Sequence, residues 1–569
     1  MHLYVELLKA LVKEGKVLTT SSDVDYDHDN KNLFSFGNKY SELDCMLLPS
    51  LRVALRCKEF LTYNSSNSNS NSNSDSNSNS NSNSNIPAEL LKQYQLITIE
   101  PLNFDDIQVI YYPTSLAANA RAYWQHTGEI LSSRKAEAAL RFFGFPVPNI
   151  TELYSADNKR ECLSDSYTVE ALGGVSPYQI LTERIMSILD EPLRDNSITI
   201  TTSGMTAINI ALRLIRSVLR GEGKEKGTET EVEMVLFGFP YLDTLKMLKR
   251  TEMNPGGYHF FGNGTESDID TLVQLLIERN TGNSNSNSSS NSRIGGVFTE
   301  FPTNPLLKAP NLMRLHSLSK QYGFLLVVDD TIGNFANLNL LHHPDVKVDL
   351  LCTSLTKIFS GRGDVMAGSL VINSLGPYYD RLREAISSLQ PEPLYLEDAL
   401  ALELNSRDFI DRSKRIMKST AALALWLCDQ EEVKHVHYPH PDVIKRQKDR
   451  GLDDASSIDP SNIYPLLLKG HVDDGYGYGC LLSIILKEDR DEKKFYDCLD
   501  FNKGPSLGTN CTLVCPYTLL AHYTELDWAA SYGVDRRLVR VSVGLEDIDS
   551  IIDRFDVALK AANNVVSSL

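Results

Sequence analysis

Long apolar runs are missing from this 569-residue chain: no segment approaches 18 consecutive apolar residues, so the sequence offers no candidate for a membrane-spanning helix. An excess of basic charge is missing as well. Lys and Arg total 56 against 74 Asp and Glu, a net charge of −18. That balance argues against nucleic acid or an anionic membrane as the main partner and leaves room for a local basic pocket. Paired cysteines are also lacking. The nine cysteines, Cys45, Cys57, Cys162, Cys352, Cys428, Cys480, Cys498, Cys511 and Cys515, are odd in number and contain no C-x-x-C. This favours reduced thiols over a disulfide framework or a zinc site. The opening "MHLYVELLKALVKEGK" carries Glu6 inside its apolar stretch, unlike a secretory signal. The closing "SSL" lacks the basic middle residue of a peroxisomal address. A cytoplasmic protein is expected, with nuclear or peroxisomal presence left open.

What is present reads as an ordinary globular composition, 42% hydrophobic and 23% charged, with length for roughly two to four domains. Two Asn/Ser tracts, Asn64 to Asn85 and Asn283 to Ser292, hold nothing apolar to bury and are expected to be flexible insertions. The second lies between the helical pattern "DIDTLVQLLIERN" and the strand-like "GGVFTEF", a surface connection where expansion costs little. From about Ser197 to Ile372, the apolar runs "EMVLFGF", "GGVFTEF", "FLLVVDD", "VDLLCTS" and "GSLVIN" alternate with amphipathic segments. In "MTAINIALRLIRSVLR", Ile208, Ala211, Leu212, Ile215 and Leu219 share one helical face, with Arg213, Arg216 and Arg220 elsewhere. Buried strands alternating with helices predict an α/β fold with a mainly parallel sheet. Past about Glu397 the rhythm changes to helices, then strands such as "CLLSIILK" and "LVRVSVG", then a closing helix, predicting a smaller α+β domain. The expected division is 1–115, an extension without a usable motif; 116–395, the α/β domain; and 396–569, the α+β domain.

Three features carry chemistry. Asp329 ends "FLLVV", placing a carboxylate at the carboxyl edge of the sheet, where ligands of open α/β folds bind and where a positive partner is expected. Lys357 ends "TSLTK" after the next strand, with the Ser354 and Thr356 hydroxyls beside it. A partly desolvated lysine loses proton affinity and becomes an amine nucleophile. In "TTSGMTAI" a strand turns through Gly204 into a helix whose first N–H groups favour an anion. Each feature alone has a bland reading: a capping Asp, a surface Lys, a tight turn. One cofactor explains all three. Pyridoxal phosphate needs a lysine for its aldehyde, a carboxylate for its ring nitrogen and a helix start for its phosphate.

With these residues in view, the chain resembles the Cys/Met-metabolism (trans-sulfuration) family of pyridoxal-phosphate enzymes, and most of all its fungal-type γ-synthase members. The resemblance runs from about Ala120 to the carboxyl terminus. It is carried by "VVDDTIGN…DLLCTSLTKIFSGRGDVMAGSLV", "TSGMTA", "TEFPTNPLL" and "LVRVSVGLED". It implies a fold-type I transferase. Lys357 would bear the cofactor and shuttle protons, and Asp329 would pair with the ring nitrogen. Gly204, Met205, Ser354 and Thr356 would hold the phosphate. Tyr241 would stack on the ring and Asn304 would lie beside the ring hydroxyl. Arg540 would grip the substrate carboxylate, and Ser506 would sit near the lysine. Tyr123 would come from an amino-terminal arm that reaches a neighbouring subunit in a homodimer or homotetramer with shared active sites. The sequence departs from the family at that arm: "AYWQHTGEI" has Gln125 where an arginine belongs, with His126 as a substitute donor. The implied reaction joins L-cysteine to an O-acylhomoserine, succinyl or acetyl, to give cystathionine in methionine biosynthesis. A cystathionine lyase, an O-acylhomoserine sulfhydrylase, and a catalytically weakened binding or regulatory member stand as alternatives.

Two further patterns are set aside. His435, His437 and His440 in "KHVHYPHPD" have ligand-like spacing, but no cysteine or carboxylate completes a metal set, and a strand entering a turn fits better. "GYGYGC" precedes a strand, where dinucleotide binding needs a helix. No metal is expected.

Overall fold

The computed structural model describes residues 6, 9–12, 43–67, 97–102, 104–145, 169–190, 197–219, 232–281, 292–451, 463–469 and 477–563. Nearly all of both Asn/Ser tracts, Cys162 and the final "SSL" lie outside these residues. The described chain forms two compact units, Met1–Val175 with Glu392–Ala401, and Ser176–Pro391 with Leu402–Leu569.

The first unit holds a three-stranded antiparallel sheet in the order β1-β3-β2, from β1 (Asp44–Leu48), β2 (Thr98–Pro101) and β3 (Gln108–Tyr112). Its alternation is plain: Cys45, Leu47, Val109 and Tyr111 point to one face, where they meet Leu131, Ala136, Ala139 and Leu140 in a buried core. The helix Ser133–Phe142 begins at Ser132, whose hydroxyl accepts from the Lys135 N–H. A folded sheet within 1–115 was not legible as such, because its four- and five-residue strands are separated by the first tract.

In the second unit a seven-stranded sheet runs in the order β4-β10-β9-β8-β7-β5-β6. Its strands are β4 (Ile198–Thr201), β5 (Val232–Phe237), β6 (Tyr258–Phe261), β7 (Arg293–Glu300), β8 (Leu325–Asp329), β9 (Leu350–Thr353) and β10 (Gly368–Ile372). Pairs β6-β5-β7-β8-β9 are parallel, as the continuous apolar runs predict. Strand β10, read from the same kind of run, is antiparallel to both neighbours. The helix Gly204–Leu219 lies on this sheet. Ile208, Ala211, Leu212, Ile215 and Leu219 are buried while Arg213 and Arg216 stay half-exposed.

A second sheet in this unit has the order β11-β12-β15-β14-β13, from β11 (Val433–His437), β12 (Leu481–Leu486), β13 (Asn502–Lys503), β14 (Leu513–Cys515) and β15 (Val539–Ser542). Helix Phe409–Cys428 packs on β11 and β12, and helix Ile548–Ala562 packs on it and on helix Glu492–Cys498, giving the expected α+β region. The fold is thus the α/β architecture of fold type I with a smaller carboxyl-terminal α+β part. The compact units are drawn differently from the division expected at 115 and 395. Residues 104–145 join the first sheet, and 402–569 join the seven-stranded sheet because side chains lock them together: Arg412 donates to the Ile358 and Phe359 carbonyls at 2.7 and 3.1 Å. Among the described residues, no helix is long and apolar enough to cross a membrane.

Candidate active site

Strand register brings three acidic or nucleophilic positions to one edge. Glu300, Asp329 and Cys352 stand side by side at the carboxyl ends of β7, β8 and β9. Asp329 Oδ1 accepts the Thr331 N–H at 2.9 Å, and the Thr331 hydroxyl accepts the Ser354 N–H at 2.8 Å, so one threonine ties the two chain ends together. Surrounding protein raises the Asp329 carboxyl above the usual range, opposed by bonds from Thr331 and by the Lys357 charge. Among the described residues no ion pair engages this carboxyl, and the Lys357 charge is the cation that acts on it.

Lys357 closes the turn 354–357, its backbone N–H donating to the Ser354 carbonyl at 3.3 Å, and donates from Nζ to Ser506 Oγ at 3.3 Å. Enclosure by protein, followed by the Arg540 charge, lowers its amine from an ordinary 10.5 to about 8, while Asp329 pulls the other way. By surface area both Lys357 and Asp329 are only half-buried, so they are enclosed yet reachable. The loop after Lys357 is fixed by backbone geometry. Gly361 has φ +71°, its N–H donates to the Lys357 carbonyl at 2.8 Å, and an added Cβ would lie 2.1 Å from Arg412 Nη1.

Gly204 starts its helix against Ser354: a Cβ there would lie 2.8 Å from Ser354 Cβ. The close approach leaves the first turn, with Met205, beside the Ser354 hydroxyl. The Thr356 hydroxyl is engaged differently, donating to the Ala367 carbonyl at 3.2 Å and accepting its N–H at 3.0 Å. Arg540 on β15 is buried. Its Nη1 donates to Asn304 Oδ1 at 3.1 Å, its Nη2 donates to the Pro505 and Ser506 carbonyls, and its guanidinium lies 4.7 Å over the Tyr517 ring. Tyr241 closes the loop after β5 with 42% of its surface exposed, while enclosure of its phenol, followed by Asp243, pushes that hydroxyl well above its usual range.

Lys357, Asp329, Ser506, Asn304 and Arg540 therefore join one network, with Gly204, Met205 and Ser354 at the helix start beside it. Tyr123 belongs to the first unit. There it is buried and donates to Glu129 Oε2 at 2.5 Å, and Arg56 holds the same carboxylate with Nη2 at 2.5 Å. On that helix Gln125 is exposed and His126 buried, so the two neighbours do not present one donor face. His440 uses its Nδ1 to cap the helix Pro441–Asp449. His435 and His437 lie on β11, and Gly477–Cys480 lead into β12. Among the described residues, no cluster of metal-ligating side chains occurs. Sequence reasoning passed over Thr331, Arg412, Tyr517 and Glu300. Glu300 had a usable signal, an acid closing an apolar strand like Asp329.

The donor set fits pyridoxal phosphate: an amine that is neutral in part near pH 8, an enclosed carboxylate without an ion pair among the described residues, and a helix start kept clear by glycine. Fold and site together define a fold-type I pyridoxal-phosphate enzyme.

Comparison with known proteins narrows the class. Residues 271–451 match the family described as "Cys/Met metabolism PLP-dependent enzyme", and residues 31–132 match "Fungal trans-sulfuration enzyme, N-terminal domain". A "cystathionine gamma-synthase-like enzyme" of Amanita muscaria is 33% identical over 91% of this chain and 86% of its own length. A "cystathionine gamma-synthase" of Neurospora crassa is 40% identical over 65% of this chain and 53% of its own. The solved cystathionine gamma synthase of Xanthomonas oryzae pv. oryzae, at 21% identity and a TM-score of 0.52, covers 67% of this chain and 84% of its own and shares the fold. The chain belongs to the Cys/Met-metabolism family of pyridoxal-phosphate enzymes. Its amino-terminal region, which carried no readable motif, corresponds to a family domain.

Proposed function

We propose that this enzyme performs γ-replacement, joining L-cysteine to an O-acyl-L-homoserine (succinyl or acetyl) to form cystathionine and release the carboxylate, within methionine biosynthesis. The observation that carries the reading is the network from Lys357 through Ser506 and Arg540 to Asn304, in a chain similar to named cystathionine gamma-synthases. Bound pyridoxal phosphate supplies an electron sink that stabilises negative charge developing on the substrate carbons. Lys357 would carry the cofactor and, once displaced by the substrate amine, move the proton at the substrate Cα. An amine near 8 can take and return that proton close to neutral pH. Ser506 Oγ orients Nζ for that transfer. Asp329 would hold the ring nitrogen positive, and that positive ring would in turn favour the ionised carboxylate that burial alone opposes.

Arg540 would clamp the substrate α-carboxylate with a guanidinium pre-set by Asn304 and Tyr517, fixing the Cα–H relative to Lys357. Gly204, Met205, Ser354 and Thr356 would receive the phosphate, the last after its hydroxyl leaves Ala367. Tyr241 would cover the ring. Tyr123 is proposed to serve a neighbouring subunit's site in a homodimer or homotetramer, and the enzyme is proposed to be cytoplasmic. Residues 1–115, 116–395 and 396–569 are proposed to act as extension, cofactor-binding region and closing region.

The test is product analysis by mass spectrometry. Purified holoenzyme is given O-succinyl- or O-acetylhomoserine with cysteine, the same esters with sulfide, and cystathionine alone. Cystathionine as the main product of an ester plus cysteine supports the proposal. Homocysteine from sulfide, or cleavage of cystathionine, as the dominant reaction would replace it with the sulfhydrylase or lyase alternative.

A further inference from the structure

Glu300 is 8% exposed at the end of β7, yet each of its carboxylate oxygens has a definite task. Oε1 accepts the backbone N–H of Tyr241 at 2.5 Å, and Oε2 accepts the backbone N–H of Asn304 at 3.0 Å. The two accepted groups come from different connections, one after β5 and one after β7 itself. A buried carboxylate is costly to place among protein atoms, and its neighbour across the register is another acid, Asp329. Burial and that neighbour push Glu300 up to about 8 against the two backbone N–H groups that favour its ionised form. A neutral side chain that filled the space would avoid this cost, so the two bonds are the gain that the acid brings.

The bonds continue outward. Asn304 Oδ1 accepts from Arg540 Nη1 at 3.1 Å, Arg540 Nη2 donates to the Ser506 carbonyl at 3.1 Å, and Ser506 Oγ accepts from Lys357 Nζ at 3.3 Å. We propose that Glu300 is a positioning residue that sets the ring-covering Tyr241 and the Asn304–Arg540 pair at one fixed separation, so that cofactor and substrate carboxylate are held jointly. The proposal rests on the roles given above to Tyr241 and Arg540. It predicts a joint effect: weakening Glu300 disturbs cofactor affinity through Tyr241 and substrate affinity through Arg540, although both of its carboxylate oxygens are committed to backbone N–H groups.

Glu300→Gln is the decisive substitution. The amide keeps one acceptor oxygen and turns an NH₂ toward the other backbone N–H, so one bond is lost at nearly constant volume. Val297→Ala, in the fully buried middle of the same strand, is the control for general loosening. Tyr241→Ala and Arg540→Lys test the underlying roles. For each protein, at about pH 9 where Glu300 is mostly ionised, the dissociation constant of pyridoxal phosphate is measured by absorbance titration of the cofactor-free form, and KM for the amino-acid ester and melting temperature are measured on the holoenzyme.

With Glu300→Gln we expect both the cofactor dissociation constant and KM to rise about tenfold. Val297→Ala lowers the melting temperature with both binding constants within about twofold of wild type. If Glu300→Gln leaves both constants within about twofold, or shifts them only as Val297→Ala does, the proposal is overturned. If Tyr241→Ala leaves the cofactor constant unchanged or Arg540→Lys leaves KM unchanged, the underlying role fails and takes this proposal with it. Because the cofactor titration needs no turnover, it remains decisive should the enzyme prove to use another reaction.

Discussion

Cofactor capture by the cofactor-free enzyme should follow the titration of Lys357. Burial and Arg540 bring its amine from 10.5 to about 8, and only the unprotonated amine attacks an aldehyde. At pH 7 about one in ten such amines is neutral, against about one in three thousand for an ordinary lysine, an advantage of about 300-fold. The same displacement has a cost. The folded state holds the proton less tightly than the unfolded chain, so stability is reduced below about pH 8 and rises with pH from about 8 to about 10.5. At about 1.4 kcal/mol per tenfold, the full penalty at neutral pH is at most about 3.5 kcal/mol, less to the extent that the half-open site lets water in. Lys357→Met should therefore raise the stability of the cofactor-free protein at pH 7 by about 1–3 kcal/mol while abolishing the visible cofactor band. The assay is stopped-flow mixing of cofactor-free enzyme with excess pyridoxal phosphate between about pH 6 and pH 10. Rates are divided by those of N-acetyl-lysine amide under identical conditions to remove the cofactor's own ionisations. The normalised rate should be highest at low pH and fall off above about 8, where Lys357 is fully neutral and the reference amine is still gaining. A normalised rate that stays flat to pH 10 would mean that Lys357 titrates as an ordinary lysine, and the electrostatic reasoning would fail.

Other perturbations test other parts of the site. Asp329→Asn keeps an oxygen for the Thr331 N–H but removes the charge proposed to face the ring nitrogen. The cofactor band should persist while kcat falls by about 10²–10³, and an unchanged kcat would remove Asp329 from its role. Arg540→Lys loses the planar fork that reaches Asn304 and the Ser506 carbonyl together, and KM should rise at least about tenfold in steady-state assays. Gly361→Ala must place a Cβ at φ +71°, 2.1 Å from Arg412 Nη1 and 2.4 Å from Asn510 Oδ1. Urea unfolding of the holoenzyme should show a loss of about 2–4 kcal/mol, whereas a loss under about 0.5 kcal/mol would mean that the loop after Lys357 is not held as described.

The parts of this protein that were readable in its sequence are those with strong local signals. Strands β5, β7, β8 and β9 are parallel and covered on both faces, so each is a continuous apolar run, and Asp329 and Lys357 stand out because they end such runs. Direction is not written in a run: β10 looks like its neighbours, but it reaches β9 and β4 antiparallel. Strand β6, "YHFF", was missed because it is a half-buried edge of four residues. The first-unit sheet was missed because β1 pairs with β3 across the Asn/Ser tract, and short strands give little periodicity. Arg540 and Ser506 were found only through the resemblance. They meet Asn304 and Lys357 over 236 and 149 residues of chain, a proximity that no local pattern encodes. Glu300 carried the same signal as Asp329, but its two acceptors serve backbone groups, which a reading of side-chain chemistry overlooks.

The most direct test is to reduce the holoenzyme with borohydride, digest it and map the pyridoxyl group by mass spectrometry. The account predicts that the added mass sits on the peptide containing "TSLTK", at Lys357, and disappears in Lys357→Ala. Labelling of a different lysine, or undiminished labelling in that variant, would contradict it.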